Sequence, residues 1–316
     1  MNLLINNYCN QKCPYCFAYS YMDTKNKKDM TFENYRKALA FLKASHREFV
    51  RFEGGEATLH PQFMDFVDYA LAHGFAIMLF TNGLFDKKVR DFLKLRQRYV
   101  HYTWNLNPPP LYSSGMRQRL LDNLEGLSHK QSSFGVNIYS ETQDLDYMFR
   151  FCKRFRPNSL RCVFAHRLRG GGMCQTIPLQ AQRKVTPKIV SLIRKVGSKL
   201  GIPAFFDCGF IPCAWSDEAL GTLIRCGTRF QGCEPCLGID PDLNIAHCFH
   251  FHDKHLVFKL QDFSDEKAVV ERVRESMGRY RKHFLFKKCP QCLSRVLRAC
   301  DGGCLGDRKT SGVVLA

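Results

Sequence analysis

The first two-thirds of this chain alternates short apolar runs with stretches whose apolar residues recur every three to four positions. A short apolar run bounded by turn residues reads as a strand, and a 3.6-residue stripe reads as a helix. The runs are Leu3–Asn6, Phe49–Phe52, Phe75–Phe80, Val100–Leu106, Phe134–Tyr139 and Leu160–Ala165. Tyr35, Ala38, Leu39 and Leu42 stripe the first intervening helix. Further helices read near Gln62–Ala72, over Lys87–Leu95, over Arg117–Leu127 and near Leu145–Arg154. Ile189, Leu192, Ile193, Val196 and Leu200 stripe another after the sixth strand. Repeated β-α units of this length predict an α/β fold with a parallel sheet, open or closed into a barrel. In such barrels the chemistry sits at the C-terminal ends of the strands.

The chain has 316 residues, 45% hydrophobic, enough for a sizeable core and about two domains. No run of about 18 apolar residues exists, so no membrane span is expected. The N-terminus enters Leu3-Leu4-Ile5 without a basic region or cleavage site, which predicts a cytoplasmic protein. Sixteen cysteines in such a protein argue for metal rather than disulfides.

Three of those cysteines stand at the end of the first strand, in Cys9-Asn-Gln-Lys-Cys13-Pro-Tyr-Cys16. Three thiolates within eight residues hold three corners of a [4Fe–4S] cube and leave one iron open to a ligand. An open coordination position is what metal catalysis needs and a structural site avoids. Half of a zinc site or a redox-sensitive loop would use the same residues. Glu53-Gly54-Gly55-Glu56 directly follows the second strand, and two glycines there let the backbone approach a ligand closely. Thr81-Asn82-Gly83 ends the third strand, Trp104-Asn105-Leu106-Asn107 the fourth, and Asn137 lies in the fifth.

Cys-x3-Cys-x2-Cys resembles the signature of the radical SAM enzymes, and Gly54-Gly55-Glu56 with Ala57-Thr58-Leu59-His60-Pro61 resembles that family's GGE motif. The resemblance implies a partial (β/α)6 TIM-type barrel over residues 1–200. It implies S-adenosylmethionine (SAM) on the open iron of the Cys9, Cys13, Cys16 cluster, cleaved reductively to a 5′-deoxyadenosyl radical. It places Gly54, Gly55 and Glu56 at the SAM amino group and Tyr15 beside the adenine. Thr81 and Asn82 face the cofactor side. Asn105 and Asn137 are candidates for the SAM ribose or carboxylate; strand alternation decides which side chains face inward, and a one-residue slip reverses them. Arg167, or Arg169, would pair with the SAM carboxylate.

From Gly201 onward there are ten cysteines. Cys289-Pro-Gln-Cys292 and Cys300-Asp-Gly-Gly-Cys304 form a cluster or metal signature, preceded by Cys226, Cys233 and Cys248. Residues 201–316 resemble the SPASM extension of radical SAM enzymes, which carries two auxiliary [4Fe–4S] clusters, or the one-cluster twitch type. The resemblance implies Cys226, Cys233, Cys248 and Cys304 as ligands of a first auxiliary cluster. Cys289, Cys292 and Cys300 would supply three ligands of a second. That pattern departs here in two ways. Its usual turn glycine is Leu243, so a different turn is expected. Its last ligand lies beyond the Cys-x3-Cys pair, whereas no cysteine follows Cys304 in this sequence, so Cys236, Cys208 or Cys213 is the replacement, or another ligand is used, or the cluster is absent. Paired cysteines suit tetrahedral zinc as well. His247, His250, His252 and His255 surround Cys248, as metal or proton-handling candidates or as a polar edge strand. Phe249 stands where sulfatase-maturing relatives carry an acidic base, and Asp207 is another possible acid or base. Cys152, Cys162 and Cys174 read as packing thiols.

The formal charge of +18 counts thiols as neutral. Three clusters would lower it to roughly +13, still able to attract an acidic peptide, a phosphorylated molecule or RNA. The expected substrate is a peptide, as in ribosomal-peptide maturation, with a small molecule second and RNA third. A scaffold binding iron–sulfur clusters or zinc is the non-enzymatic alternative. An external flavodoxin- or ferredoxin-type electron donor is implied.

Overall fold

The computed structural model describes residues 1–16, 18, 21–22, 25–165, 175–178, 181–207, 209–233, 236–247, 257–281, 286–297 and 300–305. Eight strands follow one another in parallel: β1 Asn2–Leu4, β2 Phe49–Glu53, β3 Ala76–Thr81, β4 Val100–Asn105, β5 Ser132–Ile138, β6 Ser159–Phe164, β7 Ala204–Phe206 and β8 Arg229–Phe230. Between them run α1 Phe32–Ala44, α2 Phe63–Ala72, α3 Lys87–Arg96, α4 Ser114–Gly126, α5 Asp146–Phe155, α6 Gln182–Leu200 and α7 Asp217–Arg225. Strand order equals chain order from β1 to β8, with no switch point. That is the winding of a barrel rather than of a doubly wound sheet.

The expected α/β class with a parallel-dominated sheet is what the chain adopts, and the element bounds differ from the sequence reading by one to three residues. The parallel series does not stop at six strands. β7 and β8 continue it past Leu200. β1 pairs on its other edge with β9, Leu237–Ile239, also in parallel. β10, Asn244–His247, and β11, Val257–Lys259, extend that edge antiparallel. The barrel therefore stays open, with the tail's meander fused to its first strand.

Local rules set the helices. Thr31, Asp86, Ser113 and Ser216 cap α1, α3, α4 and α7 by accepting from a backbone N–H two or three residues into the helix. The stripe Tyr35, Ala38, Leu39, Leu42 is buried as the 3.6-residue period predicts. Tyr35 stacks on Phe66 of α2 at 4.0 Å between ring centroids. Strand alternation sends Val50, Phe52, Ile77 and Leu79 into this helix-side core. The opposite side chains, among them Glu53, Met78, His101, Asn105, Asn137 and Arg161, are only half-buried and line the barrel's inner face. A last helix, α8 Glu266–Arg281, returns to the barrel and buries Val269, Val273 and Met277. Its first residue accepts from Arg47, and its Glu266 amide donates to Ser45 Oγ at 2.8 Å.

The turn from β9 to β10 holds Leu243 at φ 61°, the left-handed region a glycine takes without strain. Asp240 enforces it: its carboxylate accepts from the amides of Asp242 and Asn244 at 2.8 and 2.9 Å. The residue differs from the expected glycine, yet the left-handed backbone persists, held by an aspartate side chain.

Candidate active site at the strand ends

The loop after β1 rests on the turn after β2. A Cβ on Gly55 would stand 1.9 Å from the Tyr8 carbonyl oxygen and 2.2 Å from its carbon. At Gly54, φ is 144° and a Cβ would lie 2.6 Å from the Asn6 carbonyl. Gly55 N donates to Asn6 O at 3.2 Å, and Glu56 N donates to Tyr8 O at 3.0 Å. Only glycines permit this approach, and it fixes the strand-end turn against the residue preceding Cys9.

The Glu56 side chain is spent within the chain. Its carboxylate accepts from Thr58 Oγ1 at 2.7 Å, Thr81 Oγ1 at 2.8 Å and Asn82 N at 2.7 Å. Burial raises its pKa, and the donors from Asn82, Thr58 and Thr81 oppose that rise. Glu56 thus ties the end of β2 to the end of β3, and Thr81 is consumed in the same knot.

Side-chain N–H groups point at the sulfurs. Asn82 Nδ2 lies 3.4 Å from Cys9 Sγ and donates to Asn10 Oδ1 at 2.8 Å. Gln11 N donates to Cys9 Sγ at 3.4 Å. Asn107 Nδ2 donates to Cys13 Sγ at 3.3 Å. Burial, with the Glu56 charge adding to it, pushes the Cys9 thiol up to about 12, and burial raises Cys13 as well. The N–H donors at these sulfurs work against that rise and favour the thiolate forms. Cys16 closes the loop, half-buried, its amide donating to Cys13 O at 3.1 Å.

Tyr15 is buried and stacks on Tyr139 at 4.9 Å between centroids. Its hydroxyl donates to Asn107 Oδ1, and the Asn137 side chain bonds it too. Asn107 N in turn donates to Tyr112 Oη at 2.9 Å. Asn107, not Asn105, is thus the β4-end residue next to the cysteine loop. Sequence reasoning missed it, along with Gln11, Asn10 and Tyr139. The available signal was Asn107's place two residues beyond Asn105, before Pro108-Pro109-Pro110, which cannot continue a strand ladder.

Asn105 lies instead on the barrel's inner face, where Arg161 Nη1 approaches its Oδ1 at 3.4 Å. Arg161 clasps Asp207 from β7's end through Nε and Nη2 at 2.8 and 2.5 Å. Glu53 accepts from Asn2 Nδ2 at 2.6 Å on the same face. Burial raises the Glu53 carboxyl, opposed by Asn2 and by the Arg161 charge. Arg167 and Arg169 lie outside the described residues, as do Cys174 and Cys208.

In the tail, Cys226 ends α7 half-buried and Cys304 is buried. Cys233 N donates to the Asp301 carboxylate at 2.9 Å, joining the Cys233 loop to the Cys300–Cys304 turn. Cys233 and Cys300 line one recess of about 220 Å3. Cys289, Cys292 and Cys300 line another. The Cys292 thiol is pulled below its ordinary value by the amides of Arg295 and Ser294. His247 is buried at the end of β10, whereas Cys248, Phe249, His250, His252 and His255 lie outside the described residues. Cys152 and Cys162 are buried in the barrel core.

Known proteins resemble this chain in sequence over its first third and in fold. The family profile described as the Radical SAM superfamily matches residues 3–105. Over 84 residues the chain is 38% identical to an S-adenosylmethionine-dependent nucleotide dehydratase of Selenomonas ruminantium, spanning 26% of this chain and 29% of that protein. Over 110 residues it is 32% identical to a tungsten-containing aldehyde ferredoxin oxidoreductase cofactor-modifying protein of Pyrococcus furiosus, spanning 34% of this chain and 30% of that one. The chain thus spans less than a third of the length of these curated relatives. SuiB of Streptococcus suis bound to its precursor peptide SuiA superposes on 96% of this chain and 70% of its own with a TM-score of 0.66 at 13% identity. SuiB bound to S-adenosylmethionine gives 0.62 at 14% identity over 96% and 72%. At that identity the likeness is one of fold.

Residues 3–105 match the profile of the Radical SAM superfamily, a family of enzymes that use S-adenosylmethionine and a [4Fe–4S] cluster. The chain's residues fit the cluster. Cys9 and Cys13 receive N–H donors aimed at sulfur, as cluster ligands would, and the Gly54-Gly55 turn packs directly on the backbone of Asn6 and Tyr8 and so fixes the loop that carries them. Among the described residues no helix is long and apolar enough to cross a membrane.

Proposed function

We propose that this protein is a radical SAM enzyme that modifies a peptide, with Cys9, Cys13 and Cys16 holding the SAM-binding cluster and a SPASM-like tail from about residue 201 carrying auxiliary clusters. The observation that carries the reading is the donor set around the cysteine loop, where Asn82 and Asn107 reach Cys9 and Cys13 from two different strand ends. When bound, the cluster and SAM supply a 5′-deoxyadenosyl radical that takes a hydrogen atom from the substrate, using an electron from an external flavodoxin- or ferredoxin-type donor.

The chain's own residues do the rest. Asn82, Gln11 and Asn107 compensate the negative sulfurs. Gly54 and Gly55, assigned with Glu56 to the SAM amino group, lock the β2 turn onto the cysteine loop, and Tyr15, packed on Tyr139, walls the site beside the adenine. Thr81 and Glu56 hold the turns that present these groups, and Asn137 steadies Tyr15. Arg161, Asp207, Asn105 and Glu53 form a polar wall inside the open barrel, where a substrate would lie below the strand ends. Cys226, Cys233, Cys248 and Cys304 are assigned to one auxiliary cluster and Cys289, Cys292 and Cys300 to another. Arg167 keeps its assignment to the SAM carboxylate. Peptide as substrate is supported by the fold shared with a protein that binds a precursor peptide. We assign the protein to the cytoplasm, as its N-terminal residues read.

A second reading, a phosphorylated small molecule, is favoured by the basic charge and by similarity to a nucleotide dehydratase. Anaerobic turnover with SAM and reductant tests both. 5′-Deoxyadenosine together with a mass change in a short peptide encoded beside this gene supports the first reading. 5′-Deoxyadenosine with altered nucleotide and unaltered peptide supports the second. No 5′-deoxyadenosine from iron-loaded protein refutes both.

A further inference from the structure

Three segments distant in sequence bring four cysteines to one recess. Cys213 sits in the 3-10 turn Pro212–Ala214, after β7. Cys289 and Cys292 bracket the 3-10 turn Cys289–Gln291. Cys300 opens a turn in which Gly302 and Gly303 both adopt left-handed φ, 82° and 83°, and its sulfur accepts from Gly302 N at 3.2 Å. All four line one recess, together with Lys288 and Arg295.

We propose that Cys213 is the fourth protein ligand of an auxiliary [4Fe–4S] cluster held by Cys289, Cys292 and Cys300. This rests on the auxiliary-cluster reading above and departs from its pattern, which closes this cluster with a cysteine downstream of the Cys-x3-Cys pair. Four thiolates are the full set for a cube. A cube with four thiolates carries about −2, which Lys288 and Arg295 offset. Among the described residues no three Cys, His, Asp or Glu side chains converge on one ion position. The four cysteines share the lining of one recess, and the iron and zinc contents measured below distinguish a cube from a tetrahedral zinc. Cys236, another unassigned tail cysteine, is placed elsewhere: its sulfur lies 3.5 Å from Asn2 Nδ2 on β1. With every corner closed by protein, this cluster has no position for SAM or substrate and is suited to accepting or passing an electron.

The test uses the full chain carrying Cys9→Ala, Cys13→Ala and Cys16→Ala, so that only tail clusters are counted and SAM cleavage is irrelevant. Anaerobically reconstituted protein is assayed for iron, acid-labile sulfide and zinc, and by electron paramagnetic resonance, with circular dichroism as the check on folding. Cys213→Ala is expected to remove about four irons per chain or leave a three-iron cluster visible in the oxidised protein. Cys236→Ala is expected to leave the count unchanged. Unchanged iron, sulfide and spectrum in Cys213→Ala overturns the assignment; so does zinc in place of iron, or a parent tail without iron. If Cys213→Ala misfolds, Cys213→Ser decides: a spectrum altered by oxygen ligation supports the assignment and an unaltered one overturns it. Failure of the peptide reading would look different, as unmodified peptide beside an intact iron pattern.

Discussion

Gly55→Ala adds one methyl group at the point where the β2 turn meets the cysteine loop. The added Cβ would lie 1.9 Å from Tyr8 O and 2.2 Å from Tyr8 C, both backbone atoms next to Cys9. Neither atom is the end of a flexible side chain, so the loop itself must move. Overpacking of this kind costs about 1–3 kcal/mol. Losing the bond from Glu56 N to Tyr8 O, 3.0 Å long, adds about 1 kcal/mol. The sum, about 2–4 kcal/mol, corresponds to a fall in Tm of roughly 5–15 °C for a domain of this size. The assay is anaerobic thermal unfolding of iron-free protein followed by circular dichroism, with iron per chain measured after reconstitution. Iron at the barrel cluster should fall too, because displacing Tyr8 displaces Cys9. Gly115→Ala is the control: nothing lies within 4 Å of its added Cβ, and in α4 the change should stabilise by about 0.4–1 kcal/mol. Parent-like melting and full iron in Gly55→Ala would refute the close-approach account.

Four further outcomes are expected. Asn107→Ala removes the donor to Cys13 Sγ, so the reduced, more negative cluster loses stabilisation and its potential drops by on the order of tens of millivolts; an unchanged value in a redox titration would show that this bond does not reach the cluster. Glu53 has a folded pKa above its unfolded one, so stability is lost as pH rises through that window; Glu53→Gln should match the parent below about pH 4 and exceed it near neutrality, read as urea midpoints, and a variant advantage confined to acid would reverse the sign. Arg161→Met breaks the two bonds to Asp207 and should cut product formation about ten- to a hundredfold while 5′-deoxyadenosine still accumulates, uncoupling the two; equal loss of both would place Arg161 at SAM instead. Asp86→Ala removes the α3 cap to Val89 N, 2.9 Å, and should cost about 1 kcal/mol in denaturant unfolding without changing iron content.

Much of the barrel was legible because its signals are local. Each strand is a single apolar run, each helix carries its own stripe and most carry their own cap, and the cysteines of the first loop lie within eight residues. The inner face was harder. Asn105 and Asn107 share a string and a polarity, but β4 ends at Asn105, and the loop beyond it turns Asn107 onto Cys13. Glu56 reads as a contact of the SAM amino group, and Thr58, Thr81 and Asn82 engage its carboxylate within the chain. β7 and β8 are three and two residues long, too short to show any period.

The sequence by itself determined the class of fold and the grouping of Cys9, Cys13 and Cys16 in one loop, because hydrophobic period and close residue spacing are written in neighbouring residues. Only the tertiary structure decided which partners meet across the sheet: Asn107 with Cys13, Arg161 with Asp207, Cys213 with the Cys289–Cys300 segment. Those meetings depend on strand register and loop closure over long chain separations, and neither leaves a mark in the residues that are brought together.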